Sequence, residues 1–174
     1  MMALMAATIA IAANAQSFNI GTSSTTTDLF GNQTTTHRNQ YGQTTGTSTS
    51  STDYFGNTNT THRDQYGMTI GTSTSSTDCF GNKVTTYRDS FGYVTGSAKT
   101  STDGFGNTTT QYSDVYGRYT GSSTTSSDLF GNTTSRHKDQ YGNIQGTSNR
   151  STDCFGNSTT QHRSDDPFTT IWSW

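Results

Sequence analysis

The sequence predicts an all-β repeat protein: a β-solenoid, or cross-β stack, of six 25-residue rungs with two Asp-x-aromatic-Gly turns per rung. Three observations point there. Glycines recur at 21, 46, 71, 96, 121 and 146 with no insertion or deletion between them, and self-similarity at a fixed period of about 20–50 residues marks a repeat architecture. Each repeat holds two short reversal signatures. The composition is also anti-helical. Only 26% of the 174 residues are hydrophobic, all twelve acids are Asp, and one proline is present. Thr, aromatics and Asp suit strands and turns, and so few apolar residues cannot fill a conventional oily core, for which ordinary domains use roughly 45–50%. An antiparallel β-meander fits the same turns. The invariant period favours stacked rungs, because identical side chains must stay in register to stack.

Taken in order, residues 1–15 read as a secretory signal peptide. An apolar run from Ala3 to Ala13 ends in Ala13-Asn14-Ala15, a small-residue cleavage pattern. The run is too short to cross a bilayer as a helix, and no other segment is longer, so no membrane span is expected. Residues 16–20 read as an N-terminal strand, 21–163 as the six-repeat β domain, and 164–174 as a C-terminal capping or docking strand, since terminal repeats are atypical where they seal a stack.

Within each repeat the first reversal is Asp-x-Phe-Gly-Asn. Its aspartates are Asp28, Asp53, Asp78, Asp103, Asp128 and Asp153, and its glycines Gly31, Gly56, Gly81, Gly106, Gly131 and Gly156. Asp at the first turn position accepts backbone N–H bonds, and Gly at the fourth adopts positive φ, a type I turn closed by a left-handed residue. The second reversal begins at Asn39, Asp64, Asp89, Asp114 and Asp139, with Tyr41, Tyr66, Phe91, Tyr116 and Tyr141 two residues on. Between the reversals lie a short strand and a longer one, which the repeat-marking glycine interrupts with a bulge or bend.

Stacking turns the repeat columns into ladders. Phe30, Phe55, Phe80, Phe105, Phe130 and Phe155 become an aromatic stack, and Asn32, Asn57, Asn82, Asn107, Asn132 and Asn157 an amide ladder. Ser23, Ser48, Ser73, Ala98, Ser123 and Ser148 are always tiny and point inward. His37, His62, His137 and His162 share one column with Tyr87 and Tyr112 and read as a strand-face aromatic column. Cys79 and Cys154 lie three repeats apart, about 14 Å in a stack at 4.8 Å per rung. A disulfide needs Cα atoms within roughly 7 Å, so they do not pair within the chain.

Function follows from what is present and what is missing. No nucleophile–base set, phosphate loop or metal-ligand spacing occurs, so neither an enzyme nor a cofactor is expected. A net charge of −2 offers no basic field for nucleic acid. Asn-x-Ser/Thr sequons at Asn32, Asn59, Asn107, Asn132, Asn149 and Asn157 leave attached glycans open, and exposed tyrosines leave bound ones open. The order of parts (a signal peptide, then short strand-turn repeats with polar ladders, from Gly21 to Arg163) resembles secreted bacterial fibre subunits of the curli type. That resemblance implies spontaneous stacking into a functional amyloid of a biofilm matrix. The expectation is a secreted structural subunit that self-assembles head-to-tail into an extracellular fibre. Its partner is itself, and its joint is formed by the terminal strands at Phe18, Ile20, Phe168, Ile171, Trp172 and Trp174. An ice-binding solenoid and a monomeric surface adhesin are the alternatives.

Overall fold

The computed structural model describes residues 18–164. The expected signal peptide, and Phe168, Ile171, Trp172 and Trp174 of the expected joint, lie outside them. The described chain forms twelve strands: β1 (Phe18–Thr27), β2 (Gln33–Asn39), β3 (Thr44–Thr52), β4 (Thr58–Asp64), β5 (Thr69–Thr77), β6 (Lys83–Asp89), β7 (Val94–Thr102), β8 (Thr108–Asp114), β9 (Tyr119–Ser127), β10 (Thr133–Asp139), β11 (Ile144–Thr152) and β12 (Ser158–Ser164). Each pairs antiparallel with the next, and β12 pairs with β1, so the sheet closes into a barrel.

This overturns the solenoid, and it overturns the open meander as well. Two of the tight turns flank each repeat strand pair, and loops this short join antiparallel neighbours; parallel neighbours need crossovers of a dozen or more residues. The rigid period has a different cause from rung stacking. His37 faces Ser23 on β1 and Gly46 on β3, so the register slips two residues per repeat. Over six repeats the slip tilts the strands and closes the barrel. One inserted residue in any strand would spoil that closure and turn its side chains to the wrong face. With the interstrand spacing of a sheet and the usual barrel tilt, opposite walls stand about 20–25 Å apart.

Every long strand carries a bulge one residue before its repeat-marking glycine, at Ile20, Thr45, Ile70, Thr95, Thr120 and Gln145. The glycines are forced by proximity. A Cβ on Gly46 would lie 2.4 Å from the carbonyl oxygen of Arg63 on the neighbouring strand, and one on Gly146 equally close to that of Arg163. The bulge bends the strand and the glycine lets its neighbour come in, which is how bulges shape barrel rims.

Alternation along the strands sends the serine and the His/Tyr positions inward and Thr22, Thr36, Arg38 and their equivalents outward. Ala98 is the only buried apolar side chain among the described residues; the rest of the buried set is Ser, His and Gln. The outward face is hydroxylated and charged, so it does not present the apolar band that lipid-spanning barrels carry. Large apolar residues sit in the turns at both ends. The structure thus separates polar wall and interior from aromatic ends, the reverse of an oil-drop fold.

The bulge position yields a direct test. Thr45 Oγ1 and Thr95 Oγ1 are buried without a hydrogen-bond partner, whereas two other repeats carry Ile there. Thr45→Ile and Thr95→Ile should each leave the barrel as stable or stabilise it by about 1 kcal/mol, because a desolvated hydroxyl is removed. Gly46→Ala should destabilise it by about 1–3 kcal/mol through overpacking. Denaturant midpoints of the three variants measure both effects.

Candidate functional site

Two features stand out in the barrel: a buried polar circle within it and an aromatic crown at each end. The circle is built by the alternation just described. Around the barrel the inward serines on odd-numbered strands alternate with inward rings on even-numbered ones. Ser23 Oγ lies 2.9 Å from His37 Nδ1, whose Nε2 lies 2.9 Å from Ser48 Oγ. Ser48 continues to His62 at 2.8 Å, and His62 to Ser73 at 3.3 Å. On the other side His162 bridges Ser148 and Ser23, His137 bridges Ser123 and Ser148, and the Tyr112 hydroxyl donates to Ser123. One hydroxyl–imidazole chain therefore runs from Tyr112 to Ser73 through the seam where β12 meets β1. Ala98 stands between Tyr87 and Tyr112, the one place in the circle where two phenols replace imidazoles.

His37, His62 and His137 are only 4–5% exposed. These three rings are shielded from solvent, whereas Tyr87, Tyr112 and His162 of the same circle are half-buried. Burial, reinforced by the neighbouring His62 and His162, pulls His37 down to about 4; burial, with His162 nearby, does the same for His137. Burial also lowers His62 and His162 and raises the Tyr87 phenol. A desolvated imidazole that already shares hydroxyl protons on both sides favours its neutral form. Both ring nitrogens of His37 and His137 are engaged, which leaves no lone pair for a metal, and among the described residues no group of three or more His, Cys or Asp is placed to hold one.

From the circle towards one end the wall is lined by hydroxyl pairs: Thr25 with Thr35, Ser50 with Thr60, Ser75 with Thr85, Thr100 with Thr110, and Thr125 with Ser135, all at 2.7–2.8 Å. Beyond them Thr27, Thr52, Thr77 and Thr102 are exposed. This end is a hydroxyl-lined mouth whose floor is the His/Ser circle. Its rim is six Asp-x-Phe-Gly-Asn turns. Asp28 Oδ1 accepts the N–H groups of Phe30 and Asn32, and Asn32 Nδ2 donates to Asp28 Oδ2. Gly31 closes the turn at φ 83°. The same set recurs at Asp53, Asp78, Asp103, Asp128 and Asp153. Asp78 is pulled down to about 2, first by the Asn82 side chain.

With the turn backbone held by the carboxylate, the Phe at its tip points away from the barrel. All six are 84–93% exposed, beside fully exposed Leu29, Tyr54 and Leu129. We call this the Phe end. The Tyr end carries Tyr41, Tyr66, Phe91, Tyr116 and Tyr141 on five turns of the same design. Both described chain ends, Phe18 and Ser164, also leave there. The six Phe form a ring of separate, almost bare apolar tips rather than one contiguous patch.

These positions correct the ladder reading. The six Phe do not stack on one another but stand on separate tips, and each Asn is taken by the Asp of its own turn. Of the expected joint of terminal strands, Phe18 and Ile20 lie on β1, which pairs with β12 and β2, so among the described residues no sheet edge is open; its other four residues lie outside the described residues. Cys79 and Cys154 are free and exposed, half the barrel apart on the Phe end. The reading of the sequence missed the His/Ser circle as a unit. Its signal was present in the shared spacing of the two columns, but it becomes visible only when the first repeat meets the last.

Charge is segregated as well. Among the described residues the six turn aspartates of the Phe end face Lys83, Lys99, Arg136 and Arg150. The Tyr end has Arg38, Arg63, Arg88, Arg118, Lys138 and Arg163 against Asp64, Asp89, Asp114 and Asp139. One end is acidic and the other basic, which the net charge of the chain conceals. Comparison with protein families, curated proteins and solved structures finds no match to this chain.

The circle makes the barrel acid-sensitive. Unfolded histidines protonate near pH 6.5, whereas folded His37 and His137 stay neutral until about pH 4. Their contribution is complete above pH 6.5 and is lost as pH falls from there towards 4, about 3 kcal/mol for each. Melting temperature measured from pH 7.5 to 4.5 should fall steeply, and the double variant His37→Gln/His137→Gln should show a flatter profile. An equal slope in both would remove the circle from the explanation.

Proposed function

We propose that this chain is a secreted structural subunit that assembles head-to-tail into an extracellular fibre, the Phe end of one barrel seated on the Tyr end of the next. The observation that carries the reading is the pairing of two exposed aromatic ends of opposite charge on one closed barrel. A closed sheet has no edge to extend, so the ends are the surfaces left for association. Complementary charge steers unlike ends together and disfavours like ones. A contact between two different surfaces that does not close on itself propagates as a filament. The resemblance to curli-type subunits, carried by stacked strand-turn rungs, lends this reading no support once the barrel replaces the rungs; the joint proposed is crown against crown instead of strand against strand.

A flat Thr face, which ice binding calls for, has no support in a wall that curves around a barrel and carries Lys99 and Arg136 among its Ser and Thr. Sugar stacking on the tyrosines would leave the acidic Phe end without a role.

Electron microscopy of the chain from Gln16 onward, at rising concentration, should show unbranched filaments one barrel wide. Phe30→Ser/Phe80→Ser/Phe130→Ser should keep the strand content and thermal stability, since those rings touch little in the monomer, and should lose the filaments. A wild-type chain that stays monomeric at high concentration contradicts the proposal.

A further inference from the structure

Resting on the head-to-tail reading, we infer that the segment Phe168–Trp174 of one copy docks in the hydroxyl-lined mouth at the Phe end of the next. Four observations converge on it. β12 ends at Ser164 on the Tyr end, so whatever follows Ser164 leaves the barrel at the joint between copies. Residues 165–174 reach about 30 Å when extended, more than the height of a tilted seven-residue strand. The sequence Phe-Thr-Thr-Ile-Trp-Ser-Trp pairs large apolar rings with hydroxyls and indole N–H groups. The mouth offers the matching surface: six bare Phe on its rim, and below them walls of Thr and Ser with spare acceptor capacity.

The physical case is one of paired deficits. Exposed Phe side chains on the rim gain from covering by apolar groups. A tryptophan buried against them needs an acceptor for its indole N–H, and the Thr-lined wall supplies hydroxyl oxygens. Cys79 and Cys154 stand on the same rim, so the docked segment would shield them. The alternative occupant is the segment's own Tyr end.

Trp172 and Trp174 are the only tryptophans in the chain, so their emission reports on the segment alone. The test follows emission maximum and acrylamide quenching in the chain from Gln16 across the concentration range of assembly. A chain ending at Pro167 and the free peptide Phe168–Trp174 serve beside it. The inference expects a blue shift and shielding that appear together with filaments. It also expects the truncated chain to need at least roughly tenfold more protein to assemble, the loss typical of removing aromatic anchors. Excess peptide should inhibit assembly of the full chain, and shielding of Cys79 and Cys154 from a thiol reagent should track filament formation. Filaments from the truncated chain at unchanged concentration would overturn the docking and leave the head-to-tail reading standing. A blue shift already complete in the dilute monomer would place the segment on its own barrel, and overturn it equally. Absence of filaments from every form would sink both.

Discussion

Backbone pairing locked by a carboxylate at nearly every turn is the interaction on which the rest of this structure depends. With Ala98 as the only buried apolar side chain among the described residues, hydrophobic burial cannot select the fold. What selects it is register. Asp at the first turn position accepts two backbone N–H groups and fixes where each strand stops and its neighbour starts, and the Gly directly after the tip aromatic supplies the left-handed conformation. Repeated eleven times, this sets every pairing without help from a core, and the two-residue slip per repeat then brings β12 to β1. Closure repays the effort: a twelve-stranded open sheet of this composition would leave two polar edges and a hydroxylated face with no partner, while the barrel pairs both edges and gives the serines and histidines one another.

That logic explains the composition. Large apolar residues are few in the wall, where inward Thr and Ser bond across strands and the glycines admit neighbouring carbonyls at distances that no Cβ tolerates. They gather in the turns. The turn design that stabilises the barrel from its ends therefore also displays aromatic rings there. Stability and display come from one five-residue element, so the ends could not be made less sticky without choosing different tip residues. The charges follow the same element: one acid in every turn of the Phe end, balanced on the Tyr end by a basic residue just before four of the five second turns and by Arg118 after the remaining one.

Much of the local structure was legible in the sequence. Asp-x-Phe-Gly-Asn announces its turn, the alternation of Ser and Thr announces strands, and the repeat-marking glycine announces an irregularity that proves to be a bulge. The global arrangement was not. An invariant period is as compatible with rungs that must stack as with strands that must close; antiparallel pairing of neighbouring strands excludes the rungs, and the pairing of Ser24 with Thr159 closes the sheet. Phe and Asn misled for a related reason. Invariant columns look like ladders when repeats lie on top of one another, but in a ring of turns each column is a crown whose members never touch. The His/Ser circle was hidden because its partners come from strands fourteen and eleven residues apart on either side, and its seam joins opposite ends of the chain.

The closed seam is the claim from which everything else follows, and a disulfide across it is its most direct measure. Ser24 on β1 and Thr159 on β12 face each other on the outer wall, where directly opposed Cβ atoms lie about 4.5–5.5 Å apart. Ser24→Cys/Thr159→Cys, made in a background with Cys79→Ser and Cys154→Ser, should oxidise rapidly to a monomeric, internally bridged species with native strand content. Persistent free thiols, or bridges only between molecules, would mean that the first and last strands do not meet and that the barrel is open.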